Sequence, residues 1–287
     1  MAGTRLKAKP RRQTGLHVLL IVLLLAFATL ILVLAFLLHQ RQPEAESEPE
    51  TVVVGGQEVV IHQELKRSDL EQTHFTTDEN GVVTYSGDAL YGVDVSAHQG
   101  EIDWAAVAAD NIDFTILRIG NRGYSAGAIR EDTSFEDNYA GAKENGLLVG
   151  VYFFSQAVSE EEAVEEAEQV LLWLDGRKLE GPVVYDWETI EDDEARTDSV
   201  PGETVTACAR TFCDTIRAGG YTPMLYCNGM LGYLSYDLTD LQDIGVWYAE
   251  YGDYPSYAYA MELWQYTNSG SVSGIEGNAD RDIWFRS

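Results

Sequence analysis

The stretch Gly181-Pro182-Val183-Val184-Tyr185-Asp186-Trp187-Glu188 combines a short apolar run with two carboxylates at its end. Gly and Pro mark a turn, and the run after them has the length and composition of a buried strand. Side chains alternate between the two faces of a strand, so Asp186 and Glu188 point the same way, with Cα atoms roughly 6–7 Å apart. Two acids on one face raise the proton affinity of at least one of them, as a general acid at neutral pH requires.

A plainer interpretation of the same stretch is an acidic strand end that runs into an acidic loop. Glu191, Asp192, Asp193 and Glu194 follow it directly. The rest of the chain has to decide between a catalytic pair and a solvated acidic segment.

The chain after residue 90 alternates short β-rich apolar runs with segments of helical periodicity. A helix is predicted to begin after Ser159, with Glu162 completing a capping box. Two more are predicted from about Gly202 to Gly219 and from about Asp132 to Asn145. The predicted strands are Tyr91–Val95, Phe114–Ile119, Leu147–Phe154, Val183–Asp186, Pro223–Cys227, Ile244–Tyr248, Glu262–Gln265 and Ile283–Phe285.

Apolar strands that alternate with amphipathic helices indicate an α/β fold with a parallel sheet covered by helices. The 197 residues from Tyr91 to Ser287 are few for a complete (β/α)8 barrel of about 250. The late strands also lack good helices between them. We therefore predict an irregular, incomplete TIM-like β/α barrel. No glycine-rich phosphate-binding motif follows any strand, so the sequence gives no support to a nucleotide site.

The charges divide the chain sharply. Residues 1–42 carry six basic residues and no acidic one, whereas the remainder carries all 47 acidic residues against 13 basic ones. Such an acidic domain repels phosphate backbones, so nucleic acid is not an expected partner.

The uncharged apolar run from Leu16 to Leu38 is long enough to cross the ~30 Å hydrocarbon core of a membrane. The basic residues before it favour a cytoplasmic N-terminus and an extracellular C-terminal part. A cleaved signal peptide with an A-x-A site at Ala26-Phe27-Ala28 is the alternative, but the run continues well past Ala28. We predict a basic cytoplasmic tail (1–15), a single transmembrane anchor (16–38), an extracellular stalk (39–88) and a catalytic domain (89–287).

Parallel α/β folds place their chemistry at the C-terminal ends of the strands. Asp94 lies near the end of the first predicted strand, and Asp186 and Glu188 end the fourth. Barrel closure would bring the first and last strands together, so Asp94 and Asp280 are expected to be neighbours. Asp280 and Asp282 in a turn are also compatible with calcium, but the EF-hand spacing is absent, and no metal or cofactor is predicted.

Aromatic residues near the strand ends are candidates for contact with a sugar ring, although a strand aromatic more often packs in the core. His98 is a further candidate, although a loop histidine more often only forms hydrogen bonds. The predicted substrate-binding residues are Tyr152, Phe154, Trp187, His98, Trp247, Trp264 and Tyr266.

Six segments in order resemble glycoside hydrolase family 25, the Chalaropsis-type lysozymes. They are Y-G-V-D-V-S-A-H-Q-G-E-I-D-W from Tyr91, L-L-V-G-V-Y-F-F-S-Q from Leu147, V-V-Y-D-W-E from Val183, V-W-Y-A-E-Y from Val246, L-W-Q-Y-T from Leu263 and G-N-A-D-R-D-I-W-F from Gly277. The resemblance covers residues 91–285. In the family's closing segment, V-D-G-x-V-D, this chain keeps the second acid as Asp280 but has Glu276 for the first, to which no role is assigned.

The resemblance implies an irregular β/α barrel that cleaves the β-1,4 bond between N-acetylmuramic acid and N-acetylglucosamine in peptidoglycan glycan strands. By motif position, Glu188 would be the general acid and Asp186 its partner carboxylate, with Asp94 and Asp280 completing the acidic cluster. Two alternatives stay open. The domain could be a non-catalytic, membrane-tethered module that binds wall glycan, or a barrel hydrolase acting on another N-acetylated glycan.

Overall fold

The computed structural model describes residues 13–40, 49–190 and 193–286, and these fall into two compact units, Met1–Pro49 and Glu50–Ser287. In the first unit, helix α1 (Gln13–Gln40) contains the apolar segment Gly15–Leu37, with a mean hydropathy of 3.3 and no buried residue. Its length and composition suit a membrane span. Most of the predicted basic tail, residues 1–12, and residues 41–48 of the predicted stalk lie outside the described residues.

Among its described residues, the second unit contains thirteen strands and four α-helices. The strands are β1 (Thr51–Val54), β2 (Gln57–Val60), β3 (Phe75–Thr77), β4 (Val83–Tyr85), β5 (Ala89–Val95), β6 (Phe114–Arg122), β7 (Ile129–Glu131), β8 (Leu148–Ser155), β9 (Val183–Trp187), β10 (Pro223–Asn228), β11 (Gly245–Ala249), β12 (Leu263–Gly270) and β13 (Ala279–Phe285). The helices are α2 (Trp104–Ala109), α3 (Phe135–Glu144), α4 (Glu160–Leu174) and α5 (Gly202–Ala218).

Eight of these strands close into a barrel in the order β5-β13-β12-β11-β10-β9-β8-β6, with β6 pairing back onto β5. All eight correspond to predicted strands, and the TIM-like α/β barrel is confirmed. The barrel is closed rather than incomplete. It is irregular because β13 runs antiparallel to both of its neighbours, β12 and β5.

Helices α4 and α5 form where the sequence predicts them. The Ser159 hydroxyl accepts a hydrogen bond from the backbone N–H of Glu162, and the Glu162 carboxylate accepts one from the backbone N–H of Val158, one residue earlier than a capping box requires. The apolar stripe of α5 is buried throughout. Cys208, Cys213 and Cys227 are all buried free thiols.

The interior of the barrel is filled by a compact apolar cluster. Phe114, Ile116, Val184, Met224 and Leu263 are buried there, below the inward-facing positions near the strand ends. These residues form a dry floor under the C-terminal mouth of the barrel. A polar group above that floor is therefore shielded from water on one side.

Residues 50–88 cover the side of the barrel that lacks helices. Within the described residues, no α-helix follows α5, so the outer faces of β12 and β13 need another cover. The Phe75 ring packs edge-on to Trp264 with ring centroids 5.5 Å apart, and Tyr85 packs edge-on to Phe285 at 5.1 Å. The backbone N–H of His62 also donates to the Tyr259 hydroxyl at 3.0 Å.

Residues 50–88 pack against the barrel, whereas the sequence analysis predicted a stalk for residues 39–88. The compact unit begins at Glu50, not at residue 89, because residues 50–88 supply apolar side chains that the barrel needs. Ile61, Leu65, Phe75 and Val83 belong to its main hydrophobic core.

Removing residues 50–88 should therefore destabilise the barrel. A fragment of residues 50–287 is expected to unfold cooperatively, and a fragment of 89–287 to lose about 5 kcal/mol or more, because each fully buried apolar side chain contributes roughly 1.5–3 kcal/mol. Urea unfolding followed by tryptophan fluorescence measures the difference. Equal unfolding midpoints for the two fragments would show that residues 50–88 are only a spacer.

Gly92 is required by the interior packing. A Cβ at this position would lie 2.3 Å from the Phe114 ring, which is fully buried. Gly92→Ala is expected to lower the free energy of unfolding by about 1–3 kcal/mol through overpacking. The matched control is Gly252→Ala, where the new methyl group meets nothing within 4 Å. Urea denaturation of both variants checks the prediction, and equal midpoints would contradict it.

Candidate active site

The mouth cleft lies at the C-terminal ends of the parallel barrel strands and has a volume of about 310 Å³. It is lined by Asp94, Arg118, Tyr152, Phe154, Asp186, Glu188, Tyr226, Trp247, Tyr251, Gln265, Asn268 and Asp280. These residues come from all eight barrel strands and from the loops after two of them. The cleft is therefore a product of barrel closure rather than of one local motif.

All four predicted acids line this cleft. Asp186 is the inward-facing residue at the end of β9, and Glu188 follows it at the same face. Asp94 and Asp280 are directly opposite each other in the β5–β13 pairing, as barrel closure predicted. The arrangement concentrates four carboxyl groups above the apolar floor.

Three of the predicted substrate-binding residues also line the cleft: Tyr152, Phe154 and Trp247. The Tyr152 and Trp247 rings meet edge to face, with centroids 6.1 Å apart. Together they form an apolar wall beside the carboxyl groups.

The other four predicted substrate-binding residues do not line the cleft. Trp187 is buried on the opposite face of β9, where its indole N–H donates to the Ala157 carbonyl at 3.0 Å. Trp264 and Tyr266 are buried on the outward face of β12, because Gln265 between them faces inward. His98 is exposed in the turn after β5. Side chains alternate between the two faces of a strand, so the alternation that points Asp186 and Glu188 into the cleft points Trp187 to the opposite face.

The structure adds five residues that the sequence interpretation missed: Arg118, Tyr226, Tyr251, Gln265 and Asn268. Arg118 and Gln265 carried a usable signal, since each is a polar residue at an inward position of an otherwise apolar strand. Tyr251 and Asn268 lie beyond or near strand ends, where period-two alternation no longer indicates a direction.

The Asp94 carboxyl is buried beside two other acids. Burial raises its pKa well above the usual range, and the nearby charges of Asp282 and Asp280 raise it further. The side-chain amide of Gln265 donates to Asp94 Oδ2 at 2.7 Å and opposes this rise. Asp282 lies deeper, buried, and accepts a hydrogen bond of 2.9 Å from the Trp247 indole N–H.

The Asp186 carboxyl is in a similar position. Burial raises its pKa well above the usual range, the charge of Glu188 raises it further, and Arg118 lowers it. Burial also raises the pKa of Asp280, to about 6. The cleft therefore holds carboxyl groups that bind protons at a higher pH than exposed acids do, which suits acid–base chemistry near neutrality. Within the described residues, no group of three His, Cys, Asp or Glu side chains is arranged to hold a metal ion.

Comparison with known proteins identifies relatives of this chain. The chain is 27% identical over 194 residues to the autolytic lysozyme of Clostridium acetobutylicum, a match that covers 67% of this chain and 55% of that protein. This chain thus spans about half the length of that relative.

Solved structures share the fold. The modular autolysin LytC from Streptococcus pneumoniae, in complex with a synthetic peptidoglycan ligand, superposes with a TM-score of 0.61 at 23% identity, over 82% of this chain and 58% of that one. A family 25 glycosyl hydrolase from Bacillus anthracis gives 0.59 at 25% identity, over 69% of this chain and 89% of that one.

The model of the family described as Glycosyl hydrolases family 25 matches residues 93–275, which is more than half of the chain and contains all the strands from β6 to β12. The acidic residues of the mouth cleft lie in or directly beside this range. The chain belongs to glycosyl hydrolase family 25.

Proposed function

We propose that this chain is a peptidoglycan hydrolase that cleaves the β-1,4 bond between N-acetylmuramic acid and N-acetylglucosamine. The observation that carries the proposal is the Asp186–Glu188 pair at the mouth of a family 25 barrel, with Asp94 and Asp280 beside it. The autolytic lysozyme relative and the pneumococcal autolysin bound to a synthetic peptidoglycan ligand support this substrate class.

In the proposed mechanism, Glu188 is the general acid and protonates the leaving glycosidic oxygen. Asp186 is the stabilising carboxylate, which either steadies the 2-acetamido group of the muramic sugar as that group attacks or positions a water molecule. The two residues are two positions apart on one strand face. This places both carboxyl groups on the same side of the bond, which suits an acid with a stabiliser and not a nucleophile opposite the acid.

The carboxyl groups of Asp186 and Glu188 interact and therefore take up and release protons as a pair. The charge of Glu188 raises the pKa of Asp186, and two interacting carboxyl groups together retain one proton to a higher pH than two isolated acids would. That proton is the one delivered to the leaving group. Tyr152, Phe154 and Trp247 are proposed to hold sugar rings against the cleft wall.

Substitution of the proposed acid tests the mechanism. Glu188→Gln keeps the size of the side chain but carries no transferable proton, and turnover of purified peptidoglycan is expected to fall by about 10²–10⁴. Asp186→Asn should lower turnover strongly but less completely. The control is Glu194→Gln, an exposed acid of the following loop. Near-normal turnover in Glu188→Gln would refute the assignment.

The products distinguish this function from its alternatives. Release of fragments with muramic acid at the new reducing end is expected from the wild-type protein. Glycan binding without any new reducing ends would identify a binding module, and a different reducing-end sugar would identify another glycosidase.

We also propose that α1 stays attached as a single-pass anchor, with the N-terminus in the cytoplasm and the barrel outside the cell. The support is the length of the uncharged segment Gly15–Leu37 and the basic residues before it. A tethered hydrolase would act on wall close to the membrane, as in remodelling or envelope assembly.

Retention of the helix can be measured directly. The mature protein is expected in the membrane fraction, with its sequence continuous through Ala28, and a protease added outside the cells should digest the barrel. N-terminal sequencing and fractionation provide the measurement. A mature chain that begins at residue 29 and is found mainly in the medium would identify a cleaved signal sequence instead.

A further inference from the structure

Among the described residues, Arg118 is the only basic one that lines the mouth cleft, which also holds four carboxyl groups. Its Nε donates to Asp132 Oδ2 at 2.6 Å, and the Asp132 side chain is only 1% exposed. Asp132 follows strand β7 and is not part of the cleft lining. An ion pair this deeply buried fixes the guanidinium in place more firmly than a surface pair would.

Asp132 has a second set of partners that ties Arg118 to the chain around the cleft. Both of its carboxylate oxygens accept from the backbone N–H of Ala97 at 3.1 Å, and Oδ1 also accepts from the backbone N–H of Ser134 at 2.9 Å. Ala97 belongs to the turn directly after β5, the strand that carries Asp94. Asp132 therefore links the Arg118 side chain on β6 to the loop after β5.

The strand register places Arg118 at one end of the carboxyl pair. Arg118 is paired with Tyr152 on β8, whereas Asp186 is paired with Phe154, two residues nearer the mouth. Glu188 lies two residues farther still along the chain. Along the strands, the backbone of Arg118 thus lies nearer to Asp186 than to Glu188, and its charge lowers the pKa of Asp186 against the effect of burial.

We propose that Asp132 is a positioning residue, which holds Arg118 at the Asp186 end of the carboxyl pair and thereby leaves the transferable proton on Glu188. This inference rests on the proposed glycosidase function and explains how two acids on one strand face take different roles. A cation beside one member of a coupled pair favours its ionised form, so the shared proton moves to the other member.

Other titratable groups also interact with Asp186, but none of them besides Arg118 carries a positive charge. Those with a titratable or charged side chain are Glu188 on its own chain segment, Arg118 on β6, Tyr152 on β8, Tyr226 on β10, Asp94 on β5 and Tyr236 after β10. Burial raises the pKa of each of the three tyrosines well above its usual value, so they stay neutral. Within this set, only Arg118 stabilises a negative charge on Asp186.

The pH dependence of hydrolysis by the full chain in detergent tests the inference. Activity requires ionised Asp186, so it is lost as the pH falls through the pKa of that group. Arg118→Gln is expected to move this acidic limb to higher pH by about one unit, because the stabilising charge is gone. Arg118→Lys keeps the charge and should move the limb less.

Asp132→Asn should shift the same limb to higher pH as well, by less than Arg118→Gln does, because the Arg118 guanidinium is no longer held beside Asp186 by a charged partner. Loss of the Asp132 charge with Arg118 still in place would instead move the limb to lower pH. The matched control is Glu131→Gln, an adjacent exposed acid, which should leave the limb unchanged.

Several results would overturn the inference. Unchanged limbs in Arg118→Gln and Asp132→Asn, a shift of the Asp132→Asn limb to lower pH, or an equal loss of activity at every pH would refute the positioning role of Asp132. Failure of the wild-type chain to hydrolyse peptidoglycan would refute the proposed function instead. In that case an NMR titration with labelled aspartate, assigned through Asp186→Asn, still shows whether both variants raise the pKa of the Asp186 carboxyl.

Discussion

The antiparallel pairing of β13 with β5 is the contact on which the barrel and its mouth cleft depend. It closes a sheet that would otherwise have two open edges, and an open edge exposes unpaired backbone groups. The same pairing sets Asp280 opposite Asp94, although 185 residues separate them in the chain. The acidic cluster therefore exists only once the barrel has closed.

The barrel interior separates two kinds of environment along each strand. The lower positions, such as Phe114 and Leu263, pack into a dry floor, and the positions nearer the mouth carry acids. Carboxyl groups above an apolar floor lose water on one side, which raises their pKa values. Arg118, the one basic residue among the described residues that line the cleft, counteracts that rise at Asp186, which makes the members of the cluster chemically unequal.

The irregular outer layer explains how a short chain completes this fold. A regular barrel covers every strand with a helix, but here residues 50–88 take that place on one side. Aromatic contacts such as those of Phe75 with Trp264 and of Tyr85 with Phe285 replace helix packing. Residues 50–88 are therefore part of the folded unit that carries the cleft.

The sequence by itself determined the eight barrel strands, the helices α1, α3, α4 and α5, and the shared face of Asp186 and Glu188, because period and local pattern decide these features. It did not indicate the short helix α2. It could not decide which aromatic residues line the cleft, and Trp187 and Trp264 lie on outer faces. Only the tertiary structure decided which distant side chains meet, such as Arg118 with its buried partner. The physical reason is that strand alternation is local, whereas barrel register, closure and burial depend on contacts between segments far apart in the chain.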